Sequence, residues 1–148
     1  MIVKLERDLT REDIEILIKY KAMNKDVERI AALLLSMDKQ ILCHSESGEK
    51  LINASDIYYI ESVDKKTFVY CEKSVYKTDQ PLYRLAADLS DLRFAQISKS
   101  CVLNLKFLDL IKTLINSQIE VTLKNGERIL VTRKYLNTMK QALYEVNV

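Results

Sequence analysis

The amino-acid sequence predicts a mainly β fold with a few short helices, and three observations support this prediction. From residue 39 onward, short runs rich in Ile, Val, Tyr and Phe alternate with polar residues, which is typical of half-buried strands. Polar turn residues separate these runs, and Asn125-Gly126 between two of them predicts a tight hairpin. Only three longer segments show the wider apolar spacing of a helix.

The first 38 residues predict a compact strand–strand–helix element. Residues 2–9 alternate apolar and charged side chains, as a half-buried strand does. Three isoleucines recur at every second position within residues 14–20, which favours a second strand, although residues 10–13 also resemble a helix start. Residues 24–37 predict a helix that Asn24 can cap. Its expected apolar face consists of Val27, Ile30, Ala31, Leu34 and Leu35.

Residues 39–148 predict the β domain itself. Strands are expected at residues 41–44, 57–60, 67–71, 74–77, 94–97, 111–115, 118–123 and 127–131. A helix is expected over residues 81–89, because proline is tolerated in a first turn and an apolar stripe follows it. Residues 99–108 are expected to form a short turn of helix or 3₁₀-helix. A closing helix is expected over residues 135–144, packing Leu136, Met139, Lys140 and Leu143.

Composition limits where the protein is expected to work. A chain of 148 residues, 48% hydrophobic and 30% charged, is the size of one folded domain with a small appended element. The longest apolar run, residues 30–35, is too short to span a bilayer, and charge follows the N-terminal methionine too soon for a signal peptide. A cytoplasmic location is therefore expected. Cys43, Cys71 and Cys101 are widely spaced and are expected to stay reduced.

Catalysis has little support in the sequence. His44 is the single histidine, and its neighbour Cys43 would point to the opposite face of the same strand, so the two cannot form a metal or nucleophile pair. Two glycines cannot build a phosphate-cradling loop. We therefore expect no enzyme activity, no cofactor, no metal site and no small-molecule substrate. The strand aromatics favour cross-strand packing over a platform for single-stranded nucleic acid.

The distribution of charge is more informative than the net charge of +2. Residues 99–148 contain eight Lys and Arg against four Asp and Glu, whereas residues 1–38 contain seven against eight. A basic C-terminal part suits a surface that faces phosphates.

Ser98, Lys99 and Ser100 form the first candidate site. They lie between apolar Ile97 and Val102, so both ends of this loop are anchored while its hydroxyls and ammonium can face phosphates or base edges. The alternative is that the serines cap the following turn and Lys99 is merely solvated.

Arg133 and Lys134 form the second candidate site, directly after a predicted strand. A guanidinium can donate two hydrogen bonds to guanine in the major groove, whereas a lysine suits phosphate. Two cations at a helix start oppose the helix dipole, which indicates an external anion.

Three segments together resemble the signature of the LytTR DNA-binding domain family: residues 56–62, 94–104 and 131–135. The resemblance extends from Ile41 to Leu143 and implies a bacterial transcription-factor module that contacts double-stranded DNA through loops. It implies DNA contacts for Ser98, Lys99, Ser100, Arg133 and Lys134, with support from Lys65 and Lys66 in the loop after the Tyr-Ile-Glu strand. Asn104 also matches the motif, although its amide could equally satisfy local backbone groups.

The resemblance therefore implies a sequence-specific transcriptional regulator, with residues 39–148 as the DNA-binding domain. Such domains usually follow a receiver domain, for which the 38 upstream residues are too few. Residues 1–38 are instead expected to support a homodimer, and stand-alone family members are thought to be held by a small regulatory membrane protein. The alternative is a protein-interaction module on the same fold that does not bind DNA.

Overall fold

The computed structural model describes residues 1–144, and it confirms the mainly β prediction. The strands are β1 Gln40–Ser45, β2 Gly48–Asn53, β3 Ile57–Val63, β4 Lys66–Cys71, β5 Val75–Thr78, β6 Phe94–Ser98, β7 Cys101–Asn104, β8 Leu108–Thr113, β9 Ile119–Leu123 and β10 Arg128–Val131. The α-helices are α1 Lys25–Asp38, α2 Leu82–Leu89 and α3 Arg133–Tyr144. Within residues 1–144 no helix combines the length and the apolar character needed to cross a bilayer.

The strands form two antiparallel sheets. Seven strands pair in the order β2-β1-β5-β4-β3-β7-β6, and three pair in the order β10-β9-β8. Two buried clusters hold the layers together. In the first cluster, the strands from β1 through β4 and strand β7 pack against the apolar stripe of α2, in which Leu85 and Leu89 are fully buried. The second joins β3, β6 and β7 to β9, β10 and α3, of which Met139 is fully buried.

Strand β3 contributes to both clusters, and a bulge determines which of its residues face which cluster. The register against β4 shifts between Ile57 and Tyr59, which breaks the ordinary alternation of faces. Ile57 and Ile60 consequently belong to the first cluster, while Tyr58 and Tyr59 belong to the second. Tyr58 stacks on Phe107 with ring centroids 3.8 Å apart. The aromatic side chains of this strand therefore pack in the interior, as their strand positions predict.

Strand β7 was not predicted, and its sequence explains why. Residues 99–108 were expected to form helix or 3₁₀-helix, but only Leu105–Phe107 do so. Residues Cys101–Asn104 form a strand between β3 and β6 in which all four residues are buried. A strand covered on both faces lacks the alternation that identifies half-exposed strands.

The two strands predicted at residues 2–9 and 14–20 are wrong for the single chain. Residues 1–23 contain no strand, and most of their apolar side chains are exposed. A strand needs a hydrogen-bonding partner, and an isolated pair of strands is marginally stable in water.

Helix α1 is confirmed, and its cap is the predicted one. The side chain of Asn24 accepts a hydrogen bond from the Val27 amide at 2.9 Å. The predicted apolar face is shifted, however: the fully buried residues are Ala32 and Ser36, and Leu35 is 60% exposed. Small residues are buried here because the helix lies against the 3₁₀ turns Ala54–Asp56 and Ser90–Leu92.

Two hairpins contain residues with a positive φ, and their turn types differ from the expected ones. In the β9–β10 loop Gly126 alone has a positive φ (88°), and its amide donates to the Leu123 carbonyl at 2.8 Å. This is a three-residue loop and not the tight two-residue turn expected from Asn-Gly. The two-residue turn with two positive φ angles lies between β3 and β4, at Asp64 (51°) and Lys65 (64°). A left-handed conformation strains a lysine, because its Cβ crowds the backbone.

Burial raises the pKa of all three cysteine thiols. They are free thiols, with Cys43 and Cys101 buried and Cys71 partly buried. Desolvation raises the pKa of Cys43 and of Cys71 to about 11 and that of Cys101 to about 12.

We predict that Lys65→Gly stabilises the fold by about 0.5–1 kcal/mol. Glycine removes the strain of the left-handed angle, which outweighs its greater freedom in the unfolded chain. Urea denaturation would measure the change. Lys66→Gly is the matched control, since Lys66 lies in β4 with an ordinary φ and should lose stability. Equal losses in both variants would contradict the strain argument.

Candidate nucleic-acid interface

Three chain segments are joined at one end of the sheets by main-chain hydrogen bonds. The Ser62 amide, near the end of β3, donates to the Ser100 carbonyl at 2.8 Å. The Thr132 amide, between β10 and α3, donates to the Ile97 carbonyl at 2.9 Å. The β3–β4 hairpin, the β6–β7 turn and the start of α3 are therefore neighbours. The two predicted DNA-contacting segments, 98–100 and 133–134, lie side by side.

In the β6–β7 turn Lys99 is exposed, while the two serines make hydrogen bonds within the turn. The Ser100 amide donates to Ser98 Oγ at 3.2 Å, and the two serine Oγ atoms are 3.4 Å apart. Lys99 and Ser100 are exposed, while Ser98 is half-buried. The serines thus shape the turn itself and do not cap a following helical turn, because strand β7 follows, and Lys99 is exposed in an anchored loop. Cys101 follows inside the core, and the raised pKa of its thiol keeps it uncharged at neutral pH.

Arg133 is the first residue of α3 and is exposed. One of its terminal nitrogens donates to the Ser117 carbonyl at 2.7 Å, in the β8–β9 turn. Ser117 itself has a positive φ of 67°, so the β8–β9 loop turns sharply at the residue whose carbonyl accepts this hydrogen bond. A guanidinium has five N–H donors, so this tether leaves several for another acceptor.

Lys134, Lys65 and Lys66 add exposed positive charge to the same end of the molecule. The Lys134 ammonium lies 5.7 Å from the ring centroid of Tyr135. Lys65 occupies the strained β3–β4 turn, and Lys66 begins β4. The structure therefore brings together seven of the eight predicted site residues: Ser98, Lys99, Ser100, Arg133, Lys134, Lys65 and Lys66.

A shallow cleft of about 400 Å³ lies between the β3–β4 hairpin and the start of α2. Lys65 and Lys99 both line it, together with the polar side chains of Thr67 and Gln96. Tyr83, which is 73% exposed on α2, forms another wall. Sequence reasoning missed this contribution of α2. A large exposed aromatic outside the apolar stripe of a helix was the one available signal.

None of the five cations of this surface is neutralised by a neighbour within residues 1–144. The ion pairs in that range lie elsewhere: Arg11 with Asp8 and Glu15, Lys25 with Glu28, Arg29 with Asp26, and His44 with Asp79. The positive charge of Lys65, Lys66, Lys99, Arg133 and Lys134 is consequently available to an external anion.

Asn104 does not belong to this surface, so its predicted DNA contact is wrong and the alternative holds. The residue is 3% exposed. Its Nδ2 donates to the Ile57 carbonyl at 2.9 Å, and its Oδ1 accepts from the Lys106 amide at 3.1 Å. Asn104 contacts Ile57 at the start of β3, whereas Ser62, which contacts the β6–β7 turn, lies five residues further along the same strand. Five residues of strand span about 16 Å, so Asn104 lies that far from the interface. Asn104 ties β7 to β3.

His44 has a local role as well. Its Nε2 lies 2.8 Å from the Asp79 carboxylate at the protein surface. In the part of the chain that the structure describes, no three His, Cys, Asp or Glu side chains are grouped to hold a metal ion.

Comparison with known proteins identifies the family of this chain. The model of the "LytTr DNA-binding domain" matches residues 47–144. A LytTr DNA-binding domain of a Bacillus cereus protein, described as a methyl-accepting/DNA response regulator, has the same fold: the TM-score is 0.66 at 23% identity, covering 72% of this chain and 97% of that chain.

Two groups of curated relatives are similar to this chain. The sensory transduction protein LytT of Bacillus cereus is 29% identical over 98 residues, which is 66% of this chain and 40% of the relative. An HTH-type transcriptional regulator of Staphylococcus aureus is 25% identical over 123 residues, covering 82% of this chain and 83% of the relative. The chain thus spans less than half of the LytT protein it matches and most of the staphylococcal one.

The family match covers about two-thirds of the chain and includes β3, the β6–β7 turn and the start of α3. This protein belongs to the LytTR DNA-binding domain family.

Proposed function

We propose that this protein is a sequence-specific regulator of transcription that binds double-stranded DNA in the bacterial cytoplasm, without catalytic activity or a cofactor. The observation that carries the proposal is the alignment of three basic segments by main-chain hydrogen bonds at one end of the fold. Family membership supports DNA as the ligand, and the names of the staphylococcal relatives support transcription as the process.

Loops and one helix start, and not the body of a helix, supply the proposed contacts. The three described helices are separated by strands, so no two are consecutive within residues 1–144. Helix α3 buries Met139 in the second cluster, with Leu136 and Leu143 packed beside it. One face of its body is therefore committed to the core, and Arg133 and Lys134 are exposed in its first turn.

Affinity and sequence discrimination are assigned to different side chains. Lys65, Lys66, Lys99 and Lys134 act on phosphates, where release of counterions favours binding and makes it sensitive to salt. Ser98 and Ser100 hold the turn that presents Lys99 and offer hydroxyl groups beside it. Arg133 reads a guanine edge, because its planar fork can donate two parallel hydrogen bonds.

The cleft beside α2 is assigned to a backbone phosphate. Lys65 and Lys99 approach it from two different loops, and the α2 N-terminus adds the positive end of a helix dipole. Phosphate contacts in this position would fix the register of the protein on the duplex without reading sequence.

We also propose that the regulator is a homodimer, which residues 1–38 support. Many exposed apolar residues lie in that segment, including Leu5, Leu9 and Leu17, and such residues favour association. A small regulatory membrane protein is proposed as a second partner; the resemblance to stand-alone family members supports it.

The second candidate function is a protein-interaction module that kept the fold without binding DNA. The modest net charge of +2 favours it. Selecting sites from a random duplex library with the full chain separates the two functions, since an interaction module would enrich no sequence.

We predict that Arg133→Ala weakens binding to a selected site by about 10-fold to 100-fold while changing binding to random duplex far less. The reason is the loss of one bidentate contact to a base. Competition mobility-shift assays would measure both affinities. Arg128→Ala is the matched control, because Arg128 is exposed at the far end of β10. Equal losses on selected and random duplexes would remove the base-reading role.

We predict that Lys99→Ala weakens binding equally for all sequences and lowers the slope of log affinity against log salt by about 1. One phosphate contact accounts for about one released counterion. Fluorescence anisotropy at several salt concentrations would measure the slope. Lys73→Ala, at the opposite end of β4, should leave the slope unchanged. The phosphate assignment is lost if both variants keep the native slope.

A further inference from the structure

Residues 14–20 have the composition of a strand but lack a partner in the single chain. In the first 23 residues the only main-chain hydrogen bond runs from the Arg11 amide to the Asp8 carbonyl, so residues 14–20 have no main-chain partner. Ile14 and Leu17 are 87% and 75% exposed, and Ile16 and Tyr20 are more than half exposed. Unpaired backbone next to exposed β-branched side chains is a template for pairing with another strand.

The sequence of this segment is complementary to itself when it is reversed. In an antiparallel pair centred on Leu17, each Leu17 faces the other Leu17 and each Ile16 faces an Ile18. The same register places each Glu15 opposite a Lys19. Two-fold symmetry produces this charge pair twice. A register shifted by one position would lose it and would exchange the two faces of the ribbon.

We propose that two copies of this protein dimerise through an antiparallel β-ribbon formed by residues 14–20 of each copy, with Leu17 on the two-fold axis. This inference rests on the homodimer proposed above and names its contact. A symmetric pairing uses the same surface on both copies, as a closed dimer requires.

The ribbon needs a surface to cover its apolar face, since two strands alone are marginally stable. Ile14, Ile16, Ile18 and Tyr20 share one face in extended chain. Ile18 is already half-buried in the single chain. Leu33 and Met37, one turn apart on α1, remain 42% and 59% exposed and form an apolar stripe that begins 13 residues after Tyr20. We assign this stripe as the surface on which the ribbon packs.

One contact in the single chain competes with the ribbon. The Arg11 guanidinium pairs with the Glu15 carboxylate at 2.8 Å, and both side chains are more than half exposed. Exposed ion pairs contribute little to stability, so Glu15 can exchange this partner for Lys19 of the second copy.

The experiment uses charge exchange in the full-length chain, measured by sedimentation equilibrium without DNA. Glu15→Lys and Lys19→Glu each place like charges opposite one another twice, so each should raise the dimer dissociation constant roughly 10-fold. The double exchange, Glu15→Lys with Lys19→Glu, should restore it. A mixture of the two single variants should form a heterodimer tighter than either homodimer. Glu12→Lys, which lies outside the ribbon, is the control for net charge.

The register is tested by cross-linking. Leu17→Cys should form a disulfide-linked dimer under mild oxidation, because its side chain faces its own copy across the axis. The native chain, whose three cysteines are buried or partly buried, and Glu12→Cys should not do so. Equal cross-linking of Leu17→Cys and Glu12→Cys would overturn the register.

Three outcomes separate the ribbon from the function. A native chain that is monomeric at every concentration overturns both the ribbon and the homodimer. A native dimer that ignores both single charge changes overturns the ribbon alone. DNA binding of the native chain is assayed separately, so a native chain that dimerises but binds no duplex overturns only the regulatory function.

Discussion

The arrangement of this interface depends on two main-chain hydrogen bonds, Ser62 to Ser100 and Thr132 to Ile97. They join residues that lie 38 and 35 positions apart in the sequence, and they involve no side chain. The loops between them can therefore vary in sequence without losing their position. A loop whose ends are already fixed has less conformational entropy to lose when it meets a ligand. Backbone geometry thus positions the charges, while side-chain identity decides what they recognise.

The bulge in β3 is the second constraint, because it determines which residues of this strand face each of the two cores. Without the shift after Ile57, Tyr59 would lie on the same face as Ile57, and the smaller sheet would lose an aromatic partner. Asn104 acts close to this shift, since its amide holds the Ile57 carbonyl beside β7. A buried side-chain amide whose donor and acceptor both have hydrogen-bond partners fixes the relative position of two strands. The motif residue that resembled a DNA contact thus keeps the interface strands in place from a distance.

Most of the fold after residue 39 could be predicted from sequence, because apolar and polar residues alternate in strands that have one buried face and one exposed face. The exceptions have physical reasons. Strand β7 is covered on both faces and so has no alternation. The turn between β3 and β4 was expected, but its type was not, because Lys65 disfavours the positive φ that it adopts. At the site, the residue types and the order of the segments predicted seven residues that the structure brings together. Sequence could not show that Ser117 holds Arg133 or that α2 walls the cleft beside Lys99, because both contacts are tertiary.

The N-terminal segment shows what a period-two pattern does and does not encode. Alternation in residues 14–20 records that one face of an extended chain is to be buried, but it does not say in which molecule the partner lies. Within a single chain the pattern has no partner and no strand forms. The order of the charges, Glu15 before Lys19, supports the proposed partner, since an antiparallel copy of the same segment aligns both pairs at once. If the proposed ribbon forms, a strand that is absent from the monomer is the result expected of a pattern that specifies an interface.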